Sequence, residues 1–286
     1  MFGYDFNLFY EAGRAILNGA TPYTIPDFNP PLTLALAFAL IAWLPYPIAY
    51  GLYLIANLAL LWSVVKRRIL WSLLCFPVLF SLFVGQVDLL IVLLIIKFGP
   101  RALPLLLFKP QLAFVIVPWY VLRLKRADWV WCIASGLFLI GLSFLVRPLW
   151  IQEWLAIVPT VSSYSIRNSN LYWLVPQSLM TPLLIVGMII GFFVALRLQN
   201  RVDSWATAHL LAPLTNIYSA SLLVEKIGWR EAALSWAAVL VVGGNIHGGM
   251  PMFVVALSIL LRAYLESRHA RLQSSKSALS KEPVKT

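Results

Sequence analysis

The chain has 286 residues, of which 61% are hydrophobic and 12% charged, with a mean hydropathy of +0.83 and a formal net charge of +11. A soluble domain is about half apolar and a quarter charged, so this chain has too little charge to cover a water-facing surface, and its composition reads as an integral membrane protein. The apolar runs are continuous rather than alternating, which argues against a closed barrel and leaves helices to satisfy the backbone in lipid.

In chain order, residues 5 to 18 fit an amphipathic surface helix. Phe6, Phe9, Tyr10, Gly13, Ile16 and Leu17 recur at helical spacing, and Asn18-Gly19 ends the pattern. The segment is too short to span a membrane. No basic region and apolar core precede Asp5, so no cleavable signal peptide is read. From Leu32 to Val65 the run is divided by Pro45 and Pro47 into a short helix ending near Leu44 and a crossing from Ile48 to Val65. Two similar units follow. Ile69 to Val84 leads to Gly85-Gln86-Val87-Asp88, and Leu89 to Ile96 returns. Ala102 to Phe108 leads to Lys109-Pro110-Gln111, and Leu112 to Leu122 returns. Both units begin and end at basic clusters, and the arms of the second are too short for two full crossings. Both therefore read as hairpins that turn within the membrane or near its outer face, where protein or a wet cavity must surround the irregular backbone.

Trp129 to Val146 reads as a crossing. Residues 147–177 form a second outer segment with interfacial aromatics, and Ser178 to Leu196 returns. Trp205 to Val224 is interrupted by Pro213 and Asn216, and two further apolar runs flank the glycine-rich stretch around His247. Their crossing parity stays open. The domain reading is one transmembrane domain over 1–264, with 1–31 and 147–177 as outer segments, and a disordered basic cytoplasmic tail over 265–286.

Most of the basic residues lie at helix ends: Lys66-Arg67-Arg68, Lys97 with Arg101, Arg123 to Arg126, Arg197 with Arg201, and the tail. The positive-inside bias makes these ends cytoplasmic and puts Arg14, Arg147 and Arg167 outside, as expected for a multi-pass protein of the cell membrane. Basic groups spread in this way do not form a nucleic-acid face. Cys75 and Cys132 sit in apolar runs and read as packing residues.

Intramembrane ionisable groups are functional hypotheses, because each is expensive to place there. Asp88 and Lys109 qualify. They could pair with each other, or form a polar floor beneath an outer cavity, with Lys109 offering its ammonium to a phosphate and Gln86 and Gln111 adding hydrogen bonds. Asp5 reads either as the N-cap of the first helix or as a general base. His247 is a ligand, a proton carrier or a polar turn residue. There is no HExxH, paired-cysteine, Asp-x-Asp, P-loop, dinucleotide or nucleophile-elbow pattern, so neither metal nor nucleotide cofactor is expected.

Asp5-Phe6, Phe9-Tyr10-x-Ala12-Gly13 and Asn18-Gly19-x-x-Pro22-Tyr23 together resemble the first outer loop of glycosyltransferase family 87, polyprenyl-phosphate-mannose-dependent enzymes of the GT-C class. Phe28-Asn29-Pro30-Pro31 matches the family's aromatic-x-Pro-Pro element. Gly85-Gln86-Val87-Asp88 matches its Gly-Gln-Val-Asn element, and Lys109-Pro110 its Lys-Pro element. Leu211-Ala212-Pro213-Leu214 echoes its Ser-Pro helix, so the order holds over residues 4 to 224. The resemblance implies an all-α, GT-C-like polytopic bundle and transfer of a hexose, mannose by analogy, from a polyprenyl-phosphate donor to a lipid or glycan acceptor hydroxyl on the outer face. It maps the base to Asp5 and donor or phosphate contacts to Lys109, Arg167, Gln86 and Asp88. Tyr10, Arg14, Tyr23 and His247 are further substrate-contact expectations. Family members place a transmembrane helix before the acidic loop, whereas this sequence reaches Asp5 at once; either a helix belongs upstream of Met1 or this is a shortened member. Asp88 stands where the family has Asn. The competing readings are a transporter or flippase of a lipid-linked substrate, favoured by broken helices around charged groups, and a catalytically degenerate member.

Overall fold

The computed structural model describes residues 2–165, 177–211, 217–241 and 250–279. The described chain is helical, with no strand. Three runs, Tyr46–Leu74, Val87–Phe108 and Arg126–Val146, are long and apolar enough by length and composition to cross a membrane.

Helix α1 (Tyr4–Leu17) buries Phe6, Phe9, Tyr10, Ala12 and Gly13, the first part of the expected face; Ile16 is half-buried and Leu17, at the end of the helix, is exposed. It lies along α2 (Leu32–Ala39). A Cβ on Gly13 would come within 2.7 Å of the backbone of Phe38 and Ala39, so the two helices meet this closely only at glycine. The expected helix to Leu44 is shorter, ending at Ala39 and followed by turns. Helix α3 (Tyr46–Val65) begins beside Pro45 and Pro47, and its 20 residues rise about 30 Å, the thickness of a bilayer core.

The first hairpin descends through α4 (Ile69–Leu74) and α5 (Phe76–Val84), with a break at Cys75 where Pro77 follows. It turns at Gly85, in the left-handed region at φ 81°, and runs into α6 (Val87–Phe98). A Cβ on Gly85 would fall 2.4 Å from Phe6 Cβ, and Phe83 O accepts the Gly3 amide at 2.8 Å. The turn of the hairpin is therefore the floor on which α1 sits. Gly85→Ala combines a left-handed φ with overpacking and should destabilise the protein by about 2 kcal/mol or more. Gly51→Ala on α3, where the added methyl meets nothing within 4 Å, is the control that should hold or slightly raise the unfolding temperature in detergent. Equal unfolding temperatures for the two variants would refute the seating argument.

The run Val87–Phe108 is not one straight rod. Gly99, at φ 62° and ψ −137°, ends α6, and residues Gly99–Phe108 return against it as a 3-10 helix. Twelve α-helical residues rise about 18 Å, and ten 3-10 residues about 20 Å. The matched arms bring Lys109 back to the level of Asp88. Helix α7 (Pro110–Val121) then starts from Lys109 with proline in its first turn. None of these arms reaches the roughly 30 Å of a bilayer core, which agrees with the hairpin reading.

Helix α8 (Arg126–Val146) buries Ser143 alone, and Trp131, Leu137, Phe138 and Leu145 are among its exposed residues. Helix α9 (Trp150–Ser165) packs back against the Pro22–Thr24 turn that follows α1. Helices α10 (Gln177–Arg197) and α11 (Arg201–Leu211) pack together, as do α12 (Trp229–Val241) and α13 (Met250–Leu279). Large apolar side chains also face outward on α3 (Ile48, Leu52, Ile55, Trp62) and on α10 (Ile185, Ile189, Phe193). Exposed apolar area on this scale is an expected feature of a lipid-facing surface.

The tail departs from expectation. Residues 265–279 continue α13 as helix rather than as a disordered segment. They hold no glycine or proline and are rich in helix formers, and a helix already nucleated propagates cheaply. The expectation for 280–286 lies outside the described residues.

Candidate functional site at the hairpin tips

Three chain segments meet where α1 crosses the hairpin turns. Gln86 Nε2 donates to Asp5 Oδ2 at 2.7 Å. Lys109 Nζ donates to Gln86 Oε1 at 2.8 Å and lies 2.9 Å from Asp88 Oδ1. The ammonium thus donates to Gln86 and forms an ion pair with Asp88. Gln86 is 6% exposed and Asp88 1%. The result is a chain of four polar side chains, Asp5–Gln86–Lys109–Asp88, set in an apolar body.

The local backbone explains how they converge. Gly3, not Asp5, caps α1; it sits at φ 68°, and Asp5 lies inside the first helical turn with no capping bond. The N-cap reading of Asp5 is therefore corrected. Its carboxylate reaches Gln86 instead, from a position where the helix N-terminus favours negative charge. Gln86 is pinned through its own backbone: its carbonyl accepts from Tyr53 at 2.5 Å and its amide donates to Ser81 O at 2.9 Å. Tyr46, Tyr50 and Tyr53 line one side of α3. Their hydroxyls donate in turn to Gly3 O (3.3 Å), to Leu82 O and Phe83 O (3.1 and 3.3 Å), and to Gln86 O. Successive rings of this ladder stack at 6.0 Å, and Phe6 packs against all three.

Burial raises the Asp5 carboxyl above the ordinary carboxylate range. The Lys109 ammonium and the Gln86 hydrogen bond pull it part of the way back, and the Asp88 charge pushes it up again. With both carboxylates ionised and Lys109 protonated, these groups sum to one negative charge; one proton on Asp5 makes the cluster neutral.

The other expected site residues are distributed differently. Tyr10 is buried, donates to Leu44 O at 2.7 Å and serves the aromatic core between α1 and α3. Arg14 is exposed and pairs with Glu11 at 3.4 Å. Tyr23 packs on Phe28 beside Glu153, its hydroxyl pushed up mainly by burial. None of these three joins the Asp5 cluster. Gln111 Oε1 is buried without a hydrogen-bond partner. Arg167 and His247 lie outside the described residues.

Two features were not foreseen. The tyrosine ladder was legible as hydroxyls at i, i+4 and i+7 on one face of an apolar crossing. The second is a clasp between the loop after α1 and the start of α9. Arg147 makes two bonds to Glu153 (2.7 and 2.9 Å), Thr21 donates to Glu153 at 2.8 Å, and Trp154 donates to Asn29 O at 2.8 Å. The Arg147 guanidinium holds the Glu153 carboxyl below the usual range. No sequence periodicity signals this contact. Among the described residues no group of three or more His, Cys, Asp or Glu could hold a metal.

An apolar cavity of about 450 Å³ opens between α7, α10 and α11, lined by Ala113, Val117, Phe192 and Leu211 among others. Ala113 lies one helical turn beyond Lys109 on α7.

Comparison with protein-family models, with curated proteins and with solved structures finds no match to this chain.

Proposed function

We propose that the protein is a membrane glycosyltransferase that moves a hexose, mannose by analogy, from a polyprenyl-phosphate carrier to an acceptor hydroxyl at the extracytoplasmic face. The observation that carries this reading is the convergence of Asp5, Gln86, Asp88 and Lys109, contributed by three sequence elements that resemble family elements and keep their order. Asp5 removes the acceptor proton as the acceptor oxygen forms its bond to the anomeric carbon. The bond from that carbon to the phosphate oxygen breaks, and the lipid phosphate leaves with the electron pair. Lys109 is the described cation nearest this chemistry and stabilises the charge that develops on the phosphate. The apolar cavity alongside α7 suits a lipid chain, and the basic helix ends orient the cluster outward by the positive-inside bias. No nucleotide or metal enters this scheme.

A second reading has a specific observation in its favour. Helices broken at Gly85 and Lys109 around a buried ion pair also suit a transporter or flippase of a lipid-linked substrate. Purified protein in vesicles holding a radiolabelled polyprenyl-phosphate hexose, supplied with a membrane lipid extract as acceptor, separates the two. Label passing from donor to product supports transfer. Donor that changes leaflet with its sugar bond intact overturns it in favour of transport.

A further inference from the structure

Gln86 was expected to touch the donor, but its side chain is already occupied at both ends. Its amide nitrogen faces a carboxylate, which cannot donate, and its oxygen faces an ammonium, which cannot accept. The chemistry of its neighbours thus allows one amide orientation. The Tyr53 and Ser81 bonds fix the backbone beneath it, and the Asp88 contact fixes the ammonium beyond it.

Resting on the assignment of Asp5 as base, we propose that Gln86 is the positioning residue of this centre. It holds the Asp5 carboxylate in one orientation and keeps the Lys109 ammonium from pairing with it directly. Oδ2 is engaged by the amide. Among the described residues Oδ1 takes no hydrogen bond, so it is the oxygen left to receive a proton. A direct Lys109–Asp5 pair would hold Asp5 ionised and make it a weak base; an amide between them passes on only part of that stabilisation. The same amide stops Asp5 from being simply desolvated, which would leave it protonated and unable to act.

The titratable groups facing Asp5 are few. On its own helix they are Tyr4, bonded to Asp27, and Tyr10, bonded to Leu44 O, with Glu11 and Arg14 further along. From α3 come Tyr46, Tyr50 and Tyr53, from the hairpin turn Asp88, and from the start of α7 Lys109. Helices α2 and α5 contribute none, and Tyr23 lies in the loop after α1.

The test needs no sugar donor. Dicyclohexylcarbodiimide attacks protonated carboxyls in apolar surroundings, and labelling of the Asp5 peptide, read by mass spectrometry across pH, gives the Asp5 midpoint in the full-length protein in detergent. Gln86→Met removes a hydrogen bond to a charged group and should raise that midpoint by about one pH unit. Gln86→Glu keeps the shape, so it guards against misfolding of the first variant. It sets a second carboxylate against Asp5 and should raise the midpoint further. A side chain that merely fills space would leave Gln86→Met at the wild-type midpoint; a wild-type midpoint in Gln86→Met, or in Gln86→Glu where the added carboxylate must act on Asp5 if the contact holds, overturns the proposal. Transfer assays separate it from the reading it rests on. If Asp5→Asn still transfers sugar while the midpoints move, the base assignment falls and the positioning role stands. If Asp5→Asn is dead and the midpoints stay put, the positioning role alone falls.

Discussion

Asp5→Asn should lower hexosyl transfer by about 10²- to 10⁴-fold, the usual contribution of a positioned general base, while leaving protein yield and monodispersity in detergent intact. The substitution is nearly isosteric, and the asparagine oxygen can still accept from Gln86 Nε2, now 2.7 Å from the carboxylate. The seat of α1 does not depend on the charge. It is made by Phe6 against Gly85 and the tyrosine ladder, and by the Gly3 amide on Phe83 O. What is lost is the proton acceptor. The same assignment sets the sign of the pH dependence. Asp5 acts only when ionised, and burial raises its titration above the ordinary carboxylate range. Wild-type transfer should therefore rise with pH through a midpoint above that range, where an exposed carboxylate would already be fully active. Transfer by Asp5→Asn within about threefold of wild type, measured with radiolabelled polyprenyl-phosphate hexose, would sink the assignment.

Much of the frame could be read from residue order. Pro45 and Pro47 start α3, Asn18-Gly19 ends α1, and the polar groups between the apolar arms mark the hairpin tips. These are local effects: proline fixes a dihedral and removes a donor, and glycine permits a left-handed turn. The pairing of Asp88 with Lys109 was one of two readings open from sequence, and the structure shows that contact. Helix lengths decide this, since the arms on either side of Gly99 are nearly equal.

The misreadings have non-local causes. Asp5 follows the pattern of an N-cap, yet Gly3 takes that place because its amide is held by Phe83, eighty residues away in the chain. Gln86 reads as a neutral donor to substrate until its two partners, from segments before and after it, are in place. Arg147 and Glu153 look like unrelated surface charges, and only the fold of α9 against the loop after α1 brings them to Thr21. A single sequence reports which groups are costly to bury. It does not report which partner, a hairpin or a helix away, offsets that cost.

The ion pair at the hairpin tips gives the second large effect. Lys109→Met should destabilise the protein by about 3–5 kcal/mol, because it leaves the Asp88 carboxylate buried without its counter-charge. The carboxylate is 1% exposed and the ammonium 12%, so solvent screens neither well. The double variant Lys109→Met with Asp88→Asn removes both charges while keeping the size of the side chain at position 88. A buried pair is worth little beyond what its two members cost to desolvate, so the double variant should recover most of the lost stability. Thermal unfolding in detergent of the two single variants and the double one closes the cycle. Additive losses would show that the two side chains do not depend on each other. The same set bears on chemistry. If Lys109 stabilises the leaving phosphate, the double variant regains its fold but not its rate, and donor turnover stays low in a protein as stable as wild type. If Lys109 serves only to neutralise Asp88, rate and stability return together. A stable double variant with restored transfer would therefore remove Lys109 from the reaction and leave Asp5, held by Gln86, as the centre that must be explained.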